Sequence, residues 1–185
     1  MPTQLDKDIS RITQAVTAPG QMFELTETTR RGVTMPAFKN APPSLAHFFA
    51  HFCNEKKDEL FIVDGDMRLT FGEVWHAASH VAHSLASQHG IEKGDRVGIA
   101  ARNSANWIIA YMGVIMAGGC ATLLNGWWTG EEMAYGIGLC DCKLVLADAQ
   151  RAERLEGVEH GAKVIVFEHG VPSEGLAPVW AAGDT

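Results

Sequence analysis

The chain has 185 residues, 46% of them hydrophobic and 20% charged, which is enough for the core of a soluble globular domain; its net charge is −7, with no Lys- or Arg-rich stretch. That balance argues against a phosphate-backbone binder, which needs basic patches to displace counterions, so no nucleic-acid partner is expected. No apolar run reaches the roughly 20 residues that span a bilayer, and MPTQLDKDISRITQ lacks a signal-peptide pattern, so the expectation is a cytoplasmic protein that is not transmembrane.

In chain order, Leu5, Ile9, Ile12 and Val16 recur at helical spacing, and residues 4–17 read as a short amphipathic helix ended by Pro19-Gly20. Residues 21–43 read as irregular, with MPAFKNAPPS (35–44) an extended connector, so 1–43 forms an N-terminal helix and connector ahead of a domain over 44–185. Ser44 caps a short helix whose Leu45, Phe48, Phe49 and Phe52 form the buried stripe. LFIVDGDMRLT (60–70) carries the Asp-Gly signal of a hairpin. Thr70-x-x-Glu73 is a capping box for a helix running to about Gln88, with Phe71, Val74, Ala78, Val81 and Leu85 on one face and Gly90 as the left-handed stop. Thr129-x-x-Glu132 is a second such box, although Gly136 and Gly138 cost its helix about 1 kcal/mol each.

The runs RVGIAA, CATLL, KLVLA and KVIVF begin near 96, 120, 143 and 163. They are continuous rather than alternating, as in strands covered on both faces. With helical segments between them they spell an α/β fold with a mostly parallel sheet and crossover helices.

Chemistry-bearing motifs are sparse. There is no Gly-rich loop ending in Gly-Lys-Ser/Thr and no nucleophile elbow, and Gly136-Ile137-Gly138 lies inside a helix rather than between a strand and a helix. His76, His80 and His83 share a stripe opposite the apolar face of their helix, and His47 and His51 repeat the spacing. Both sets read as solvated faces, with no local carboxylate or cysteine to complete a metal site. Cys53, Cys120, Cys140 and Cys142 read as reduced, mostly buried thiols. In GDRVGIAARNSANW (94–107), Asp95 and Gly94 make a turn, and Asn103 and Ser104 serve as N-caps ahead of Trp107.

The segments LTFGEV (69–74), KGDRVGIAARNSANW (93–107), GVIMAGGCATLLN (113–125), TGEEMAYGI (129–137) and KLVLAD (143–148) occur in that order. Together they resemble the N-terminal part of the AMP-forming adenylate synthetases, which include acyl-CoA ligases, luciferases and peptide-synthetase adenylation domains. The likeness departs at Leu123 and Gly126, where that family often has prolines. The connector and the pair Trp127-Trp128 look more like the fatty or aromatic acyl-CoA ligases.

The resemblance implies a partial N-terminal domain of the adenylate-forming fold. It also implies, for the intact enzyme, conversion of a carboxylic acid, Mg-ATP and CoA to acyl-CoA, AMP and pyrophosphate. The family's Ser/Thr/Gly-rich loop ending in Lys, its acidic ATP motif and its C-terminal lysine have no counterpart here, so the chain is expected to be a fragment, inactive alone, with no catalytic residue, metal ligand or cofactor of its own. Trp127 and Trp128 are the substrate-binding candidates, with buried packing the competing reading. A free-standing α/β interaction or binding module is the alternative function, and self-association through surface left bare is expected.

Overall fold

The computed structural model describes residues 2–182, so positions 183–185, the end of the predicted partial domain, lie outside the described residues. The chain divides into two compact units, Met1–Ser44 and Leu45–Thr185.

In the first unit, α1 (Gln4–Val16) opens on a reciprocal Thr3/Asp6 capping box and buries none of its residues. The stretch expected to be irregular is a hairpin, β1 (Leu25–Arg30) against β2 (Val33–Phe38), with the Thr29 and Thr34 hydroxyls 3.0 Å apart across it. Its two-residue turn places Arg31 at φ 49° and Gly32 at φ 80°, the positive pair that a primed hairpin turn requires. Arg-Gly is a poorer turn signal than Asn-Gly, and Pro36 inside β2 masks the second strand, which is why the sequence pattern conceals both.

The second unit starts with α2 (Leu45–Glu55). Its inward edge is Phe49 and Cys53, while Leu45 and Phe48 are exposed, because the helix meets the core through contacts such as Phe49 against Tyr111, 6.2 Å between ring centres. A hairpin follows, β3 (Leu60–Asp64) and β4 (Met67–Thr70), turning at Gly65 with φ 58°. A register shift between Leu60 and Ile62 takes Phe61 out of the pairing, and its ring stacks on Phe71 at 4.2 Å. Thr70 and Glu73 then form the expected capping box of α3 (Phe71–Ser87), whose Val74, Ala78, Val81 and Leu85 are fully buried.

The sheet is four-stranded and parallel, in the order β6 (Cys120–Leu123), β5 (Arg96–Ala100), β7 (Cys142–Asp148), β8 (Lys163–Phe167). Crossovers are α4 (Ala105–Met116), α5 (Gly130–Leu139) and α6 (Ala149–Leu155). The pleat of the two middle strands feeds two cores. Val97, Ile99, Leu144 and Leu146 join the cluster with α3 and α4, while Ala100, Val145 and Ala147 join Met133 and Ile137 of α5 and Leu155 of α6. Cover on both faces therefore holds for β5 and β7. The outer strands β6 and β8 are only half covered, with Leu123 51% exposed.

After β8 the chain forms α7 (Pro172–Gly175) and a 3-10 turn at Ala177–Val179. This tail corrects the reading of the histidine stripe. His76 and His83 are exposed, but His80 is only 6% exposed. Its ring stacks on Trp180 at 4.5 Å, and its Nδ1 lies 2.8 Å from the Ala181 carbonyl. The covering layer comes from a segment 101 residues further along the chain. The four cysteines are free, but only Cys53 and Cys142 are buried, and burial pushes both of those thiols up.

Gly113 is what lets α4 lie against α3. A Cβ at that position would sit 2.6 Å from Val81 Cγ1 and 3.2 Å from the Ala78 carbonyl oxygen. Gly113→Ala is expected to lower unfolding free energy by about 1–3 kcal/mol in urea titration. The loss should shrink when the same change is made in a Val81→Ala background.

Candidate functional site

Strand β5 leads through α4 to β6 on one side, whereas β7 leads through α6 to β8 on the other. The carboxyl ends of β5 and β7 thus form the switch point of the sheet, where open α/β folds leave a crevice. A cleft of about 650 Å³ lies there, within the usual size of small-molecule sites.

Asp148, the last residue of β7, does not line the cleft but ties together the elements around it. It caps α6 by accepting from the Arg151 amide at 2.9 Å, and its other oxygen accepts from the Arg102 amide at 3.0 Å. The Arg151 guanidinium lies 3.1 Å from the same carboxylate, with the two side chains 5% and 6% exposed. Arg151 Nε donates to the Gly126 carbonyl at 2.9 Å, and Arg154 Nη1 donates to the carbonyls of Gly126 and Trp128, both at 3.1 Å. Two arginines of α6 therefore hold the loop between β6 and α5 by its backbone. Within that loop the Asn125 side chain accepts from the Trp127 amide at 3.0 Å.

The tryptophan pair splits. Trp128 packs on the core of α5, where a Cβ at Gly136 would come within 2.9 Å of its ring. Trp127 is 87% exposed, which overturns buried packing for it, and it stands at the cleft rim. Trp107 forms another part of the wall, stacked on Tyr111 at 5.9 Å. The polar break after β5 has two roles. Ser104 caps α4 by accepting from the Trp107 amide at 3.1 Å, and Asp64 of the β3–β4 hairpin accepts from the Ala105 amide at 2.9 Å. Arg102 and Asn103 line the cleft instead, and the Arg102 guanidinium has no protein hydrogen bond among the described residues.

Sequence patterns name Trp127 and Trp128 but pass over Arg102, Asp148, Arg151 and Arg154. The available signal is Asp at the end of an apolar strand with arginines three and six positions later. The lining carries three arginines and no carboxylate. Asp148 offsets Arg151, so the cleft is left positive and walled by indole rings. It suits a flat, anionic ligand. Among the described residues no group of three or more His, Cys, Asp or Glu side chains is placed to hold a metal ion, and no helix is long and apolar enough to cross a membrane.

The sequence pattern of the AMP-binding enzymes matches residues 49–182. FadD6 of Mycobacterium tuberculosis, a medium/long-chain-fatty-acid–CoA ligase, is 32% identical over 110 residues, which are 60% of this chain and 18% of that protein. A medium/long-chain-fatty-acid–CoA/3-oxocholest-4-en-26-oate–CoA ligase of Mycobacterium marinum is 30% identical over 115 residues, 62% of this chain and 21% of that one. The chain thus spans about a fifth of the length of these two relatives. The N-terminal domain of FACL13 from Mycobacterium tuberculosis superposes with a TM-score of 0.66 at 19% identity, covering 78% of this chain and 38% of that one, which shows the shared fold.

Asp148→Ala is expected to strand the Arg151 guanidinium in a buried position and to lower unfolding free energy by about 3–5 kcal/mol. Urea denaturation measures this, and replacing both partners together with apolar residues should restore part of the loss.

Proposed function

The chain belongs to the AMP-binding enzyme family, and from that premise we propose that it supplies the N-terminal sheet-and-helix scaffold of an ATP-dependent acid–CoA ligase acting on fatty acids. The match over residues 49–182 carries this reading, and the names of the two mycobacterial relatives support the acid class. In the proposed reaction the acid's carboxylate attacks the α-phosphate of ATP, giving an acyl-adenylate and pyrophosphate. The CoA thiolate then attacks the acyl carbon and AMP leaves. The setting is the cytoplasm, in keeping with four free thiols.

The cleft at the ends of β5 and β7 receives a phosphate-bearing substrate, ATP or CoA, rather than the aliphatic part of the acid. Arg102 and Arg154 supply the charge, and Trp127 supplies a flat wall at the rim. The lining does not fit Mg, which takes carboxylate and water oxygens, so the metal's ligands belong elsewhere in the ligase. With no acid–base group in the cleft, this chain contributes binding and positioning and not bond-making. The alternative, a free-standing binding module on the same sheet, draws on that same lack, and it differs in predicting ligand binding with no turnover in any form of the protein.

Pyrophosphate exchange into ATP, run with a panel of fatty and aromatic acids, should show no acid-dependent rate for the 185-residue chain and a clear rate for a ligase that contains it. In that ligase Arg102→Ala should raise KM for ATP or CoA about tenfold, equivalent to ~1.4 kcal/mol, and leave KM for the acid unchanged. A shift confined to the acid would move the acid into the cleft and sink the assignment. We also propose that the isolated chain self-associates through the open edge of β6 and the outer face of α5, where Leu123 is 51% exposed and Tyr135 and Leu139 are each 72% exposed. Light scattering at micromolar concentration should give a mass above one chain; a monodisperse monomer would refute it.

A further inference from the structure

The paired imidazoles on α3 have a geometry that a merely solvated stripe would not need. His76 and His80 are one turn apart, their rings are perpendicular with centres 4.5 Å apart, and their Nε2 atoms lie 3.1 Å from each other. His80 is fixed on its remaining sides. Its face stacks on Trp180, and its Nδ1 is 2.8 Å from the Ala181 carbonyl oxygen. A carbonyl only accepts, so Nδ1 carries the proton and Nε2 presents a lone pair. That is the arrangement of a metal-binding histidine, whose second nitrogen is commonly held by a backbone carbonyl.

We propose that His76 and His80 form a two-histidine site for a divalent transition metal of the zinc type, with water completing the coordination. Two imidazole nitrogens on one tetrahedral zinc at about 2.0–2.1 Å stand ~3.4 Å apart, so the observed spacing needs a change of only a few tenths of an ångström. His76 is exposed, which provides the entry path and lets its proton move to Nδ1, in contact with water. Both Nε2 lone pairs then face the ion. The second i, i+4 pair, His47 and His51, is a different case. His51 Nε2 already lies 3.4 Å from a Glu55 oxygen, and both rings lie on an exposed face.

Metal at this site bears on the tail. The Ala181 amide donates to the His80 carbonyl at 3.3 Å while the Ala181 carbonyl receives the His80 Nδ1 proton. Fixing the His80 ring therefore tightens the reciprocal clamp between α3 and the segment after the 3-10 turn. The test is calorimetric titration of the 185-residue chain, purified without a histidine tag, with zinc chloride above neutral pH, where protons do not compete for the lone pairs. His76→Ala should weaken binding at least tenfold, while His51→Ala should leave it unchanged. Hydrogen exchange at the Ala181 amide should slow on adding zinc in the wild type and not in His76→Ala. Equal zinc affinity in wild type and His76→Ala would overturn the proposal, as would zinc-insensitive exchange at Ala181. His76 is at the surface, so its removal tests the site without relying on a variant that disturbs the buried ring.

Discussion

The middle strands β5 and β7 run side by side with both faces covered, and this constraint determines where polar chemistry can occur. From Val97 to Ala100 and from Leu144 to Ala147 every side chain is buried and apolar. Within that layer a side-chain donor or acceptor would face hydrocarbon on either side, at a cost of a few kcal/mol. Polar residues are therefore admitted only where the strands stop. Asp148 occupies the first such position on β7, and Arg102 and Asn103 the first exposed ones after β5. Since the two strands are parallel and in register, with Ala100 opposite Ala147, their polar ends arrive at the same edge of the sheet.

Asp148 then links the neighbouring elements. One carboxylate closes the open amides at the start of α6, receives the Arg102 amide just beyond β5, and neutralises the guanidinium that holds the loop after β6. An ion pair this well buried adds little net stability beyond an apolar pair of the same volume, because both charges lose their hydration. Its contribution is geometric. The loop carrying Trp127 is placed by α6, which follows β7, and not by its own strand β6. Gly130 confirms how closely α6 approaches: a Cβ there would fall 2.0 Å from the Arg154 carbonyl oxygen, so only glycine fits at the first residue of α5.

Legibility of the sequence follows the range of the interactions. The capping boxes at Thr70 and Thr129 and the Asp-Gly hairpin are local, each decided within four residues, and they form as the pattern predicts. The four strands were readable because continuous apolar runs separated by helical stretches admit few other folds, although the burial of β6 and β8 was overstated since an edge is a property of the whole sheet. The hairpin at 25–38 escaped because its turn uses Arg-Gly. His80 and the cleft arginines escaped for a different reason. His80 is covered by a segment 101 positions away and Arg151 holds a carbonyl 25 positions away, distances that no periodicity encodes, although the Asp148 partner of Arg151 lies only three positions before it. The adjacent tryptophans show the limit most directly: the same residue type, one position apart in a loop, gives one half-buried ring packed against the core and one in solvent.

The cleft also separates local from global charge. The chain carries −7 overall, yet no carboxylate lines the space between Arg102, Arg151 and Arg154. At physiological ionic strength the reach of an exposed charge is about 8 Å, so the surplus acidic residues elsewhere do little to cancel the field inside the cleft. For the anionic ligand proposed above, approach from bulk would meet a weakly repelling surface, with attraction only at the strand ends. Its recognition would rest on short-range, directional contacts rather than on long-range steering, which favours planar guanidinium donors over flexible amines. Two of the three guanidiniums are braced by backbone carbonyls, so their placement does not depend on a ligand, and such preorganisation lowers the ordering cost of the binding proposed above.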